Sequence, residues 1–233
     1  MGRLLAQHGW ILHRRPWRET SLLIELFSLE LGRVGLVARG ARSARSPWRG
    51  LGEPFVPLEA EWTRRGEMGT LTRLEPAGPR PRLAGRSLWC GLYANELLIC
   101  LVGRDEPLPE VFAAYEQLLS ALAGDPDPAA GLRAFELALL RALGVAPDLA
   151  CEADSGVAIR PEGWYRLEPE AGFFAVAGPQ GRHVYSGRAI LALERGEAVE
   201  SSHRRSGRDI TRCLLDHQLD GRVLNTREWF RSL

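Results

Sequence analysis

The sequence contains no lysine: in a chain of 233 residues, all 30 basic side chains are arginine. That absence excludes whole mechanisms, because P-loop phosphate chemistry and Schiff-base catalysis both depend on a lysine amine. Cysteine is scarce as well. Four cysteines stand at positions 90, 100, 151 and 213, and no two form a CxxC pair. This is neither a disulfide framework nor a zinc-ligand spacing, and Cys90, Cys100 and Cys213 lie in apolar, helix-like surroundings that suit small buried side chains. The five histidines, at 8, 13, 183, 203 and 217, make no HExxH and no other close metal pair, and no GxSxG elbow is present. His13 reads as an exposed strand end, His217 as partly buried, and Glu19 as part of a turn. No N-terminal targeting signal is evident, and the apolar run at 97–102 is far too short to span a bilayer. The expectation is a cytoplasmic, nucleoid-associated binding protein that is not an enzyme and uses no cofactor or metal.

What the chain does have is unevenly distributed charge. The net charge of +1 hides an N-terminal excess: residues 1–80 carry 13 Arg against 8 Asp and Glu. Residues 81–150 carry 5 against 9, and residues 151–233 carry 12 against 12. A polyanion partner is therefore expected on the N-terminal third. Within it, the stretch 32–55 (GRVGLVARGARSARSPWRGLGEPF) places Arg33, Arg39, Arg42, Arg45 and Arg49 ahead of its first acid, Glu53. Glycines break it up and Trp48 stands among the arginines, which predicts a mobile cationic loop able to follow a phosphate backbone. Arg14, Arg15, Trp17 and Arg18 form a second basic and aromatic cluster. Trp17 and Trp48 are candidates for base stacking, against the plainer reading that they pack under the arginines. Trp10 and Trp62 read as core.

Taken in order, residues 8–75 read as β, with strands at 9–13, 21–28, 34–38, 55–62 and 68–74. In the fourth, Val56, Leu58, Ala60 and Trp62 alternate with Glu59 and Glu61. Five strands in so short a span fit a small OB-type barrel, with the basic loop between the third and fourth. After the proline-rich corner at 76–81, helices are expected at 88–102, 109–123 and 127–143, the last with Asp127 as N-cap, Pro128 at N1 and Gly144 as stop. Their short connections predict three packed neighbours. Residues 151–185 read as irregular and β-like, with strands at 164–167 and 172–176. Helical pieces follow at 187–195, 208–219 and from 226 onward. The expected fold class is α+β. Its parts are an OB-fold nucleic-acid-binding domain (1–80), a helical domain (81–150), a small β module (151–185) and C-terminal helices completing the helical domain (186–233).

Ordered blocks along this chain resemble the RecO family of bacterial recombination mediators, of the proteobacterial kind. They are RPWRETSLL (15–23), LF (26–27), GR (32–33), VARGAR (37–42), RS (45–46), PF (54–55), GLYANEL (91–97) and LRAFELALL (132–140). The resemblance implies an N-terminal OB fold and a protein that binds single- and double-stranded DNA and anneals complementary strands. It also implies contacts with RecR and with the C-terminal tail of the single-strand-binding protein, and a functional link to RecA, with RecF as a further candidate. The positions matching the family's tail pocket are Arg133 and Leu143, with Leu139 on the same face; from the residues alone they read as core leucines and a solvated arginine. Many family members carry two CxxC pairs after the helical domain. Here only Cys151 matches, Asp154 stands at its partner's place and GFFA (172–175) replaces the second pair, so a β module without zinc is expected. The rival reading is a generic OB-fold binder of single-stranded DNA or RNA without a mediator role. A nuclease or ligase accessory subunit would need carboxylate or lysine constellations that the chain lacks.

Overall fold

The computed structural model of the chain describes residues 2–48, 50–64, 66–124, 129–197 and 201–231. Five strands come first: β1 (Gly2–Trp17), β2 (Ser21–Ser28), β3 (Gly32–Ala38), β4 (Pro57–Arg64) and β5 (Gly69–Pro76). They close into a barrel in the order β1-β2-β3-β5-β4, with β4 returning to β1. Closure across β3 and β5 is parallel and short, limited to Leu36 with Gly69 and Val37 with Thr70. This is the expected OB-type architecture. β1 is far longer than the apolar run at 9–13 predicts, because its two halves are held by different partners. Residues from Gly2 to Trp10 pair with β4, and residues from Gly9 to Trp17 pair with β2, with register shifts between Leu4 and Gln7 and between Ile11 and His13. Ladder bonds to β4 and then to β2 run along both halves.

The barrel interior follows the alternation. Ile11, Leu26, Leu36, Leu58, Ala60 and Trp62 are all essentially buried. The outer face of β1 and β2 is apolar too and packs on helices: Trp10 and Phe27 meet Phe112 and Tyr115 in tilted and edge-to-face contacts. Those aromatics come from α2 (Pro109–Gly124), which packs on α1 (Gly85–Leu101). One buried polar chain ties the layers together. The Ile11/His13 bulge interrupts the β1–β2 ladder at Leu12, and the Leu12 carbonyl instead accepts from Asn95 Nδ2 at 2.9 Å. Asn95 Oδ1 in turn accepts from the Tyr115 hydroxyl at 2.6 Å. Gly91, one turn earlier, leaves room for the Phe55 ring: a Cβ there would stand 2.9 Å from it. Burial pushes the Tyr115 hydroxyl well above the ordinary tyrosine range.

A second clamp joins β3 to the turn after α1. Arg33 donates to the Val102 carbonyl at 3.0 Å and pairs with Glu25, while Arg104 also pairs with Glu25 and Arg64 holds Asp105 through two 2.6 Å bonds. The Arg64 hydrogen bond lowers the Asp105 pKa against the opposing effect of burial. Gly32, at φ +68°, is required here, since a Cβ would lie 1.9 Å from the Glu106 carbonyl oxygen.

The chain divides into two compact units, Met1–Asp125 with Leu224–Leu233, and Pro126–Val223. In the second unit α3 (Ala129–Ala142) packs on α5 (Ser201–Leu219), and α4 (Gly187–Arg195) packs on α5 as well. Its sheet has the order β7-β6-β8, from β6 (Trp164–Glu168), β7 (Gly172–Val176) and a short β8 (Val184–Ser186) that sequence reading missed. Within this unit α3 takes its helical partner from α5, where Ile210, Leu214 and Leu215 are buried. Asp127 and Pro128, expected to start α3, lie outside the described residues.

The last helix, α6 (Asn225–Arg231), belongs to the first unit and packs on α1, where Arg227 lies over the Tyr93 ring and Glu96 holds the start of the helix. Glu96 accepts from the backbone and side chains of Asn225 and Thr226 in four bonds of 2.6–3.0 Å. Burial alone would raise its pKa, but the Thr226 and Asn225 donors prevail and lower it. A depressed carboxylate pKa contributes stability above the ordinary glutamate range and loses it as pH falls through the folded value. Amide exchange should therefore show residues 225–228 protected at neutral pH and released in acid, whereas Glu96→Gln should lose that protection already at neutral pH. Replacing Asn95 by Leu should cost about 1–3 kcal/mol of unfolding free energy in a denaturant melt, since it removes the donor to the buried Leu12 carbonyl.

Candidate nucleic-acid interface

The two basic clusters, some twenty residues apart in sequence, meet at one end of the barrel. Trp17 pairs with Ser21 at the mouth of the β1–β2 hairpin, and Leu22 pairs with Ala38 where β3 ends. The chain therefore enters the β3–β4 loop directly beside the 18–20 turn. Arg42 locks the two together: its amide donates to the Thr20 carbonyl at 2.8 Å, and its guanidinium donates to the Glu19 and Arg18 carbonyls at 3.1 and 3.3 Å. Arg14, Arg15, Arg18, Arg39, Arg42 and Arg45 are all exposed. Arg14 is paired with Glu53 from the far end of the loop. Arg15, Arg18, Arg39 and Arg45 form no carboxylate pair among the described residues. The result is a cationic rim whose charges are available to an anion.

The described part of the loop is folded on itself and on the barrel. Short turns close it successively, from Ser43 to the Gly40 carbonyl, from Ser46 to that of Ser43 and from Leu51 to that of Trp48. Ala41, Trp48 and Leu51 pack against the barrel core. Trp48 faces inward and lines a cavity of about 150 Å³ together with Leu22, Ile24, Leu71 and Leu74. Its ring is half-buried there, which leaves less of it to a base than the exposed Trp17 ring offers. Trp17 is the opposite case, 41% exposed at the strand end. Arg33, expected to bind DNA, is instead consumed by Glu25 and the Val102 carbonyl with its side chain 15% exposed. Arg49 lies outside the described residues.

In the second unit, Leu139 is fully buried and Leu143 half-buried just beyond the end of α3, its amide donating to the Leu139 carbonyl. Leu139 is thus core and offers no surface to a partner. Arg133 is not solvated: its side chain is 14% exposed and pairs at 2.7 Å with Glu136, whose side chain is 2% exposed. Arg133 Nε and Glu136 Oε2 remain buried without hydrogen-bond partners. Sequence reading missed Glu136, although its position four residues after Leu132 and three before Leu139 places a carboxylate inside the apolar stripe.

Cys151 and Ala158 form a bridge that closes a tight turn, with Glu152 donating to the Val157 carbonyl at 2.8 Å and Gly156 to that of Glu152 at 3.1 Å. Asp154 is exposed in that turn, and Ala153 donates to the carbonyl of Phe173, a fully buried ring. Tyr165, Leu167 and Phe173 give the module an aromatic and aliphatic core of its own. Among the described residues, no group of three or more His, Cys, Asp or Glu side chains is placed to hold a metal ion.

A closed barrel in the order β1-β2-β3-β5-β4, carrying an arginine rim at one end, places the chain among the OB-barrel proteins. The comparison with known families then goes further. The family model described as recombination protein O N terminal matches residues 1–80, and that described as recombination protein O C terminal matches residues 82–228. The chain belongs to the RecO family of DNA repair proteins. It is 44% identical over 230 residues to the DNA repair protein RecO of Methylococcus capsulatus, covering 99% of this chain and 94% of that protein. It is 44% identical over 234 residues to that of Alkalilimnicola ehrlichii (99% and 92%), and 39% identical over 235 residues to that of Azoarcus sp. strain BH72 (99% and 97%).

The inward position of Trp48 yields a direct expectation. Trp48→Ala should destabilise the protein by about 2–4 kcal/mol in a denaturant melt, by enlarging the cavity beneath it. Under conditions where the variant is folded, its DNA affinity should match that of the unaltered protein.

Proposed function

We propose that the protein acts as a recombination mediator in DNA repair, working by binding rather than by covalent chemistry. The observation that carries this reading is the Arg42 lock, which merges two arginine clusters into one cationic rim on an OB-type barrel. Arginine guanidiniums on such a rim engage phosphates without reading base sequence, so both single- and double-stranded DNA fit it. The protein would operate in the cytoplasm, on the nucleoid. Family membership supports the further steps: docking of the single-strand-binding protein's acidic tail, association with RecR, loading of RecA on coated strands with RecF as a further partner, and annealing of complementary strands.

For the tail, Arg133 supplies the cation and half-buried Leu143 an apolar neighbour. Glu136 holds that cation in the unbound protein, so an incoming carboxylate competes with it or shares it. Arg133→Ala would strand Glu136 as an unpaired buried charge, at a cost of roughly 3–5 kcal/mol. The informative pair is therefore Glu136→Gln and the double variant Arg133→Ala/Glu136→Gln. In tail-peptide titrations the first should bind at least as tightly as the unaltered protein and the second roughly ten- to hundred-fold more weakly, with DNA binding retained by both. Equal tail binding by both variants would remove Arg133 from the site.

On DNA, Arg39→Ala/Arg45→Ala deletes two rim charges while leaving the Arg42 lock in place. The slope of log affinity against log salt should flatten by about 1.4 for single strands and about 1.8 for duplex, from the per-phosphate values. An unchanged slope would show that the rim does not contact phosphates.

A further inference from the structure

Beside the Arg42 lock, the β1–β2 turn and the end of β3 enclose an open groove of about 480 Å³. Its walls include the Trp17 indole, the Arg18 and Arg39 side chains, Thr20 and Thr70, with Gly40 at one edge. We propose that this groove takes a single unstacked base of a DNA strand, with the Trp17 ring as its platform and Arg18 and Arg39 on the flanking phosphates. The proposal rests on the DNA-binding reading above and adds to it a preference for single strands over duplex.

Three features point to a base. Trp17 leaves a large indole face in water, 41% exposed, among Arg14, Arg15 and Arg18. A base offers that face a flat aromatic partner, and every base has one, so the contact is indifferent to sequence. The groove's volume suits a mononucleotide-sized ligand and not a duplex, whose bases are locked in their stack. The hydroxyls of Thr20 and Thr70 can meet the edge of a base as donor or acceptor, which again avoids selecting one base.

The backbone is held for the purpose. Arg18 stands at φ +52°, a conformation costly for any residue with a Cβ, and Arg42 secures it by donating to the carbonyls of Arg18 and Glu19. This turn places Arg18 and Trp17 on the same groove. At the opposite edge Gly40, at φ +70°, has open space where a side chain would stand, so a sugar-phosphate chain can pass close to the backbone. Trp48 is not part of this groove; it packs against the barrel core beside a separate cavity.

The test compares three probes: an intact single-stranded oligonucleotide, the same strand with abasic sites throughout, and a blunt duplex of equal length. The unaltered protein should bind the intact strand roughly 5- to 100-fold more tightly than the abasic one, the span that stacking of one base provides. Trp17→Ala should bind intact and abasic strands alike while keeping its duplex affinity, and Trp17→Phe, which retains a ring, should recover most of the preference. A preference that survives Trp17→Ala overturns the base groove, as does equal binding of intact and abasic strands by the unaltered protein. Parallel loss of duplex binding in Trp17→Ala would also overturn it, by showing that the indole supports the rim rather than a base. These results leave the phosphate reading standing if abasic strand and duplex still bind with a steep salt dependence. Absence of salt-dependent binding to all three probes would instead reject that reading.

Discussion

The first unit depends on what happens to one carbonyl. Where β1 changes partner, a bulge leaves the Leu12 carbonyl without its ladder bond, in a place with no access to water. Asn95 supplies the donor from α1, and Tyr115 from α2 satisfies Asn95. A buried polar group left unpaired is expensive, so only a docking that brings all three together is compatible with the barrel as folded. The aromatic contacts of Trp10 and Phe27 with Phe112 and Tyr115 fill the same interface, but apolar packing tolerates sliding. The hydrogen-bonded chain does not.

This explains the family's block at 91–97. Gly91 admits the Phe55 ring, Asn95 takes the Leu12 carbonyl and Glu96 gathers four donors from the start of α6. Three residues on successive turns or faces of one helix thus anchor the end of the basic loop, the barrel bulge and the returning chain end. The block is a structural hub, and the exposed arginine rim lies elsewhere, at the end of the barrel where the 18–20 turn meets the β3–β4 loop.

The same division separates arginines that look alike in sequence. Arg33, Arg64 and Arg104 are engaged by Glu25, Asp105 and the Val102 carbonyl and hold the turn after α1 against the barrel. Arg42 braces the loop on the neighbouring turn. Arg15, Arg18, Arg39 and Arg45 are left to present charge. A similar sorting applies to the tryptophans, with Trp62 and Trp48 turned inward, Trp10 held between barrel and helix, and Trp17 left to solvent.

The barrel, its strand count, the position of the basic loop and the helices were legible in the sequence, because each depends on local periodicity or on turn residues. Val56, Leu58, Ala60 and Trp62 had to face inward once 57–64 was a strand, and Gly144 had to end a helix. The excess of arginine in the first 80 residues also stood without any structure, since net charge needs no fold. What depended on tertiary structure was the fate of each polar side chain. The length of β1, the bulge at Leu12 and the partner of α3 come from pairing between segments far apart in sequence. Whether Arg33 or Arg39 meets a phosphate, and whether Trp17 or Trp48 meets a base, turns on which acids, carbonyls and apolar surfaces the fold brings beside them. Arg133 and Glu136 were neighbours in sequence all along, yet only the packing of α3 on α5 shows that their pair is buried and that two of its polar atoms remain unpartnered. A side chain's type follows from the sequence, but its free valence is a property of its surroundings, and those surroundings are assembled only when distant segments meet.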